Sequence, residues 1–165
     1  MHKILYFLAI ILTVYSCDYT QKSTRSIGDL VPKNTSVVLS INSLEGFQSA
    51  IENNALISKT GAFDPLKKAL IPLDSLKSLS PLLVCINKEA ASQVFTFITH
   101  QRNLSSTDTL LIPYITTDSI IVASTSAAIL ESVKTQSVSE YSKLSKLQQT
   151  TNTFSVYCKT FPELK

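Results

Sequence analysis

The side chains able to do chemistry in this chain are few and lie far apart. Only two histidines occur, His2 and His100, and histidine is the one residue that titrates near neutral pH unaided. A Ser-His-Asp triad in the body of the chain could run only through His100, and no G-x-S-x-G elbow exists to present the serine. His100 ends an apolar alternating run, where a histidine reads as a surface polar residue rather than a ligand. Three glycines are too few for a phosphate-cradling loop, and no cysteine–histidine cluster has zinc spacing. Asp64, Asp74, Asp108 and Asp118 fall at expected caps and loops, whereas a two-metal site needs carboxylates that converge. The net charge of +3 comes from scattered residues, Lys67-Lys68 being the one adjacent lysine pair, so no basic face offers itself to nucleic acid. The residues therefore assign no catalytic group, no cofactor and no metal, and the expectation is a protein that is not an enzyme.

Cysteine carries more information. Residues 1–17 read "MHKILYFLAIILTVYSC". His2 and Lys3 form a short positive start, and Ile4 to Val14 form an apolar run. That run is shorter than the roughly 20 residues a spanning helix needs, and it has the length of a signal-peptide core. Every face of it is apolar, so a small domain could hold it as a helix only by burying it completely. The following Val14-Tyr15-Ser16-Cys17 resembles the lipobox of bacterial lipoproteins, with an aliphatic residue at −3 and a small one at −1; Tyr15 is larger than the pattern prefers. The resemblance implies cleavage after residue 16, a diacylglycerol thioether on Cys17, and an acyl anchor in the membrane, two or more chains being needed for stable attachment. Residues 17–29 then read as the lipidated cysteine and a polar tether, and 30–165 as the domain. Loss of Lys3 with the leader lowers the charge to +2. Two cysteines remain, Cys85 and Cys158, both in expected strands. They are candidates for a disulfide if their Cα atoms come within about 7 Å, and otherwise for buried free thiols.

Three triplets share one pattern: Asp74-Ser75-Leu76, Asp108-Thr109-Leu110 and Asp118-Ser119-Ile120. They resemble the O-glycosylation motif of exported Bacteroidota proteins, which makes Ser75, Thr109 and Ser119 candidate glycan sites. The residue types equally suit a helix cap at Asp74 and a turn at Asp118.

The elements that would position these residues follow from periodicity. "TSVVLSIN" alternates as a half-buried strand. Ser43 reads as an N-cap for a helix carrying Leu44, Phe47 and Ile51. Asp64-Pro65 reads as a cap with proline at the first helical position, for a short helix ending near Pro72. "PLLVCINK" is continuously apolar, which suits a central strand. "SQVFTFITH" follows as its hairpin partner, "LLIPYI" as an edge strand because Pro113 cannot donate to a ladder, and "DSIIVAST" as another strand. Ser126 reads as the cap of a helix with Ile129, Leu130 and Val133. A further helix is expected from Ser139 through Tyr141, Leu144, Leu147 and Gln148. "TFSVYCKT" closes as a strand. The fold class is α+β, an antiparallel-rich sheet with helices packed on one face.

The end of the chain repeats its beginning. Laying residues 153–164 over 36–47 matches Phe154, Val156 and Cys158 to Val37, Leu39 and Ile41, and Thr160, Phe161 and Leu164 to Ser43, Leu44 and Phe47. On this pattern 153–165 would begin a second repeat, leaving the domain incomplete at its C-terminus. "PKNTSVVLSINSLEGFQSAIENNALIS", "LLVCINK", "FTFITH" and "DSIIVASTSAAILES" together resemble uncharacterised envelope lipoproteins of the Bacteroidota. The resemblance covers nearly the whole chain, and its motifs are structural rather than catalytic. It implies lipid anchoring to the outer membrane, on its periplasmic or surface face; the expected role is binding or structural, with the protein or glycan partner left open. It also implies full-length members that continue further. The alternative expectation is therefore the N-terminal part of a larger extracytoplasmic enzyme whose active site lies beyond residue 165. Some relatives of this type carry a ribonuclease HII label, which the scattered aspartates and missing basic face do not support.

Overall fold

A computed structural model describes residues 25–61, 63–73, 81–89, 92–104, 110–137, 139–143 and 153–159. Cys17, Ser75, Thr109, the Asp74 cap, the part beyond residue 143 of the helix expected from Ser139, and residues 160–165 of the second repeat expected over 153–165 lie outside the described residues; residues 140–143 of that expected helix form a 3-10 turn.

Six strands form one sheet: β1 (Val37–Ile41), β2 (Leu82–Glu89), β3 (Ser92–His100), β4 (Tyr114–Thr117), β5 (Ile120–Ser124) and β6 (Phe154–Cys158). Their spatial order is β4-β5-β3-β2-β1-β6, and every pairing is antiparallel. The α+β class and the antiparallel sheet agree with the sequence reading. So do the central position of β2 and the β2–β3 hairpin; the edge strand expected over residues 110–115 lies further on, at Tyr114–Thr117, with Pro113 just outside it.

The helices are α1 (Leu44–Glu52), α2 (Ala55–Thr60), α3 (Asp64–Leu70) and α4 (Ala127–Thr135). They occupy both faces of the sheet, which corrects the expectation of one. On one face Leu39, Ile41, Val84, Phe95 and Phe97 pack against Phe47 and Ile51 of α1 and Leu66 and Leu70 of α3. On the other, Val38, Leu83, Cys85, Ile98 and Val122 pack against Leu130 and Val133 of α4, with Ile27, Leu30, Val31 and Tyr141. The physical reason was present in β2 and β3. Leu82 to Cys85 and Val94 to Thr99 are buried without a break, and successive strand residues point to opposite faces, so each face needs its own cover.

Local chemistry sets the ends of the elements. The Ser43 hydroxyl accepts the Gly46 N–H at 3.0 Å, as an N-cap should. The Asn54 carboxamide oxygen accepts the Ile57 N–H at 3.2 Å and starts α2, a helix the sequence reading did not include. Asp64 is the first residue of α3 rather than its cap; Phe63 holds the cap position and makes no side-chain bond there. Gly61, at φ +60, makes the turn ahead of it, a conformation that glycine adopts without steric cost. Ser126 stands at the N-cap of α4 without a side-chain capping bond; its own N–H donates instead to the Ser124 hydroxyl at 3.2 Å.

The domain also begins earlier than the tether boundary expected at residue 29. A 3-10 turn, Ile27–Leu30, sinks into the second core, with Ile27 only 2% exposed. The Ser26 N–H donates to the Asp29 carboxylate at 2.7 Å and closes this turn. It rests on a second 3-10 turn, Glu140–Lys143, so closely that a Cβ on Gly28 would sit 2.5 Å from the Tyr141 carbonyl oxygen. Glycine is required there by the approach of two backbones.

Candidate functional site

The segment 26–35 crosses the second face as a strap, and three side chains tie it down. The Gln136 carboxamide nitrogen donates to the Asp29 and Val31 carbonyls, both at 2.9 Å. The Tyr141 hydroxyl donates to the Thr35 carbonyl at 3.0 Å. The Thr35 hydroxyl donates to the Asn87 carboxamide oxygen at 3.3 Å, and the Ser36 N–H to the Ile86 carbonyl at 3.0 Å. Gln136 serves as the C-cap of α4, so the strap is fastened to a helix end and to the sheet at once.

Where the strap turns into β1 it leaves a cleft of about 390 Å³. Its floor is Asn87 near the end of β2, and Ile129, Ser132 and Thr135, spaced three apart on α4, form a wall. Gln136 closes one end, and Lys33, Lys88 and Glu89 stand on the rim. Asn87 and Gln136 are 4% and 6% exposed, so these are polar groups set deep in the protein. Buried polar groups are nearly always hydrogen-bonded, and the bonds to Thr35, Asp29 and Val31 use only half of each carboxamide. The remaining halves belong to the cleft. A second, smaller hollow of about 220 Å³ lies between α1 and α3, over Phe47, Ile51 and Leu70 with Lys67 and Lys68 beside it.

The residues singled out from sequence fall elsewhere. His100 ends β3, partly exposed; burial, then the nearby Arg102 charge, holds its pKa below the ordinary histidine value. Ser119 is exposed in the two-residue turn between β4 and β5, where Asp118 and Ser119 have φ of 49° and 64°. An exposed hydroxyl at a hairpin tip is reachable by a modifying enzyme. Among the described residues no group of three or more His, Cys, Asp or Glu could hold a metal.

The Cys85–Cys158 disulfide is corrected. Both thiols are free, Cys85 buried and Cys158 exposed. Val38 of β1 pairs with Cys85 on one side, while Val37 pairs with Cys158 on the other, so β1 separates the two. Two strand spacings amount to about 9–10 Å, beyond the roughly 7 Å limit for a bridge. The side chains also point to opposite faces, since Cys85 sits in the second core and Cys158 follows the alternation of Phe154 and Val156. Burial pushes the Cys85 thiol far above its ordinary pKa. The expected alternation of β6 is present, yet its apolar row lies at the uncovered margin of the first face: Phe154 and Val156 are 37% and 51% exposed, Phe154 resting edge-on against Phe47 with ring centres 5.2 Å apart.

Sequence reasoning missed the cleft. Its one legible trace was Asn87, a carboxamide closing the apolar run of β2. No family model, curated protein or solved structure matches the chain.

Proposed function

We propose that this chain is an envelope lipoprotein of the Bacteroidota type, held to the outer membrane by an acylated Cys17, whose α+β domain works by binding rather than by catalysis. The observation that carries the binding role is the chemistry of the cleft. Its deepest groups are two neutral carboxamides, which hold partners through hydrogen bonds in both directions and exchange no proton at neutral pH. Such convergent polar groups in a concave site are equipment for recognition. The anchoring role is supported by the apolar run that ends at Val14-Tyr15-Ser16-Cys17. Among the described residues no helix is long and apolar enough to cross a membrane. With Ile27 already in the core, the chain between Cys17 and that residue can reach at most about 35 Å, so the domain would work close to the bilayer. The same location would expose Ser119 to envelope O-glycosylation.

The test is membrane fractionation of the native protein beside Cys17→Ser, with intact-mass measurement of both. The expected result is an acylated, membrane-bound native chain and a released, unacylated variant. Equal membrane association of the two, with no lipid mass on the native chain, would sink the anchoring role. Hexose-sized mass increments would report the glycan.

A further inference from the structure

We infer that the cleft beside the Lys33-Asn34 turn binds a small ligand carrying an amide next to a single carboxylate, the chemistry at the C-terminal end of a short peptide. The inference rests on the binding role proposed above and gives it a ligand class.

Gln136 fixes the first requirement. Its carboxamide nitrogen lies 2.9 Å from two backbone carbonyls, so both of its N–H groups are committed to the strap. The oxygen that remains can only accept. Asn87 fixes the second. Its oxygen receives the Thr35 hydroxyl, which leaves the NH2 to donate. Both residues line the same cavity and are more than nine-tenths buried. The deep part of the cleft thus offers one donor and one acceptor, neither with a partner among the described residues. A secondary amide supplies the complement, an N–H and a C=O pointing in opposite directions.

The rim fixes the third requirement. Lys33 and Lys88 form no ion pair among the described residues, and Glu89 is the one carboxylate beside them. Two ammonium groups against one carboxylate leave a single positive charge, which suits one anionic group and disfavours two. The turn at Lys33 and the end of β2 at Lys88 are held side by side through the Ser36–Ile86 and Thr35–Asn87 bonds, so both ammoniums flank one mouth. Ile129 and Pro32 supply apolar wall for the aliphatic part of the ligand. The volume of about 390 Å³ lies at the small end of the roughly 300–1,000 Å³ of small-molecule sites, which favours a fragment of a few residues over a long chain.

The experiment titrates the full-length protein in detergent with triglycine, triglycine amide and N-acetylglucosamine. It reads heat by calorimetry and the Asn87 side-chain NH2 resonances by NMR. Triglycine is expected to bind and to shift the Asn87 signals, and triglycine amide to bind at least tenfold more weakly. Lys88→Gln and Lys33→Gln, on the solvent-facing rim, are each expected to weaken triglycine several-fold and to reduce the salt dependence. Equal binding of triglycine and its amide overturns the carboxylate assignment. Binding of N-acetylglucosamine without binding of triglycine overturns the ligand class and leaves the binding role standing. Silence of the Asn87 signals with every probe overturns the site. Cleavage of triglycine during the titration would support the ligand class while refuting the non-catalytic role.

Discussion

Gln136→Leu tests whether the strap is fastened as described. The substitution replaces the carboxamide with an apolar side chain of similar size and removes both hydrogen bonds, to Asp29 and to Val31, each 2.9 Å long. The two losses differ in size. The Val31 carbonyl is buried, and an unsatisfied buried acceptor costs about 1–3 kcal/mol. The Asp29 bond is only partly buried, so water can replace the amide there and the loss is that of an ordinary hydrogen bond, about 0.5–1.5 kcal/mol. Together the variant should lose about 2–4 kcal/mol, a large part of the roughly 5–15 kcal/mol that stabilises a domain of this size. Urea unfolding followed by far-ultraviolet circular dichroism measures it, and a lower midpoint with an unchanged m-value is the expected signature. Hydrogen exchange should quicken first in residues 26–35, because the strap loses its tie to α4 while the strand ladders remain intact. A loss below about 0.5 kcal/mol, or exchange that rises equally in β2 and β3, would show that the strap is held by packing of Ile27 and Leu30 alone.

Two further outcomes follow from single groups. The Ser40 hydroxyl is buried on β1 with no hydrogen-bond partner among the described residues, so Ser40→Ala should raise stability by about 1 kcal/mol in the same urea assay; a loss of stability would mean that the hydroxyl is satisfied. Under native conditions a thiol reagent should label Cys158 and spare Cys85, because one is exposed and the other is buried with its thiolate strongly disfavoured; one label per chain before unfolding and a second after it, read by mass in Cys17→Ser, is the expected count. A native chain carrying neither label, but both after reduction, would restore the disulfide.

Much of the secondary structure was legible because it is written in local periodicity. The alternation in Val37–Ile41 and the continuous apolar run of Leu82–Ile86 specify strands whatever their neighbours are. Ser43 and Asn54 both cap helices through their own side chains, but only Ser43 was followed by an apolar repeat long enough to announce one. The misjudged features share a cause. Placing all helices on one face overlooked that β2 and β3 are apolar on both sides. Assigning residues 27–29 to the tether overlooked that one isoleucine and one close-fitting glycine suffice to seat a turn in a core, and neither makes a periodic signal.

Sequence alone determined most of the strands, the first helix and the α+β class, since each depends on residues within a few positions of one another. Only the tertiary structure decided which faces are covered, that Cys85 and Cys158 are kept apart by β1, and that β6, patterned like β1, is an edge with its apolar row exposed. It alone made the cleft. Thr35 and Asn87 are 52 positions apart, and Val31 and Gln136 are 105 apart. Their partnership depends on the order in which strands pair and on the face that α4 occupies. Such non-local choices are settled by burying two sheet faces at once, and no short window of sequence contains them.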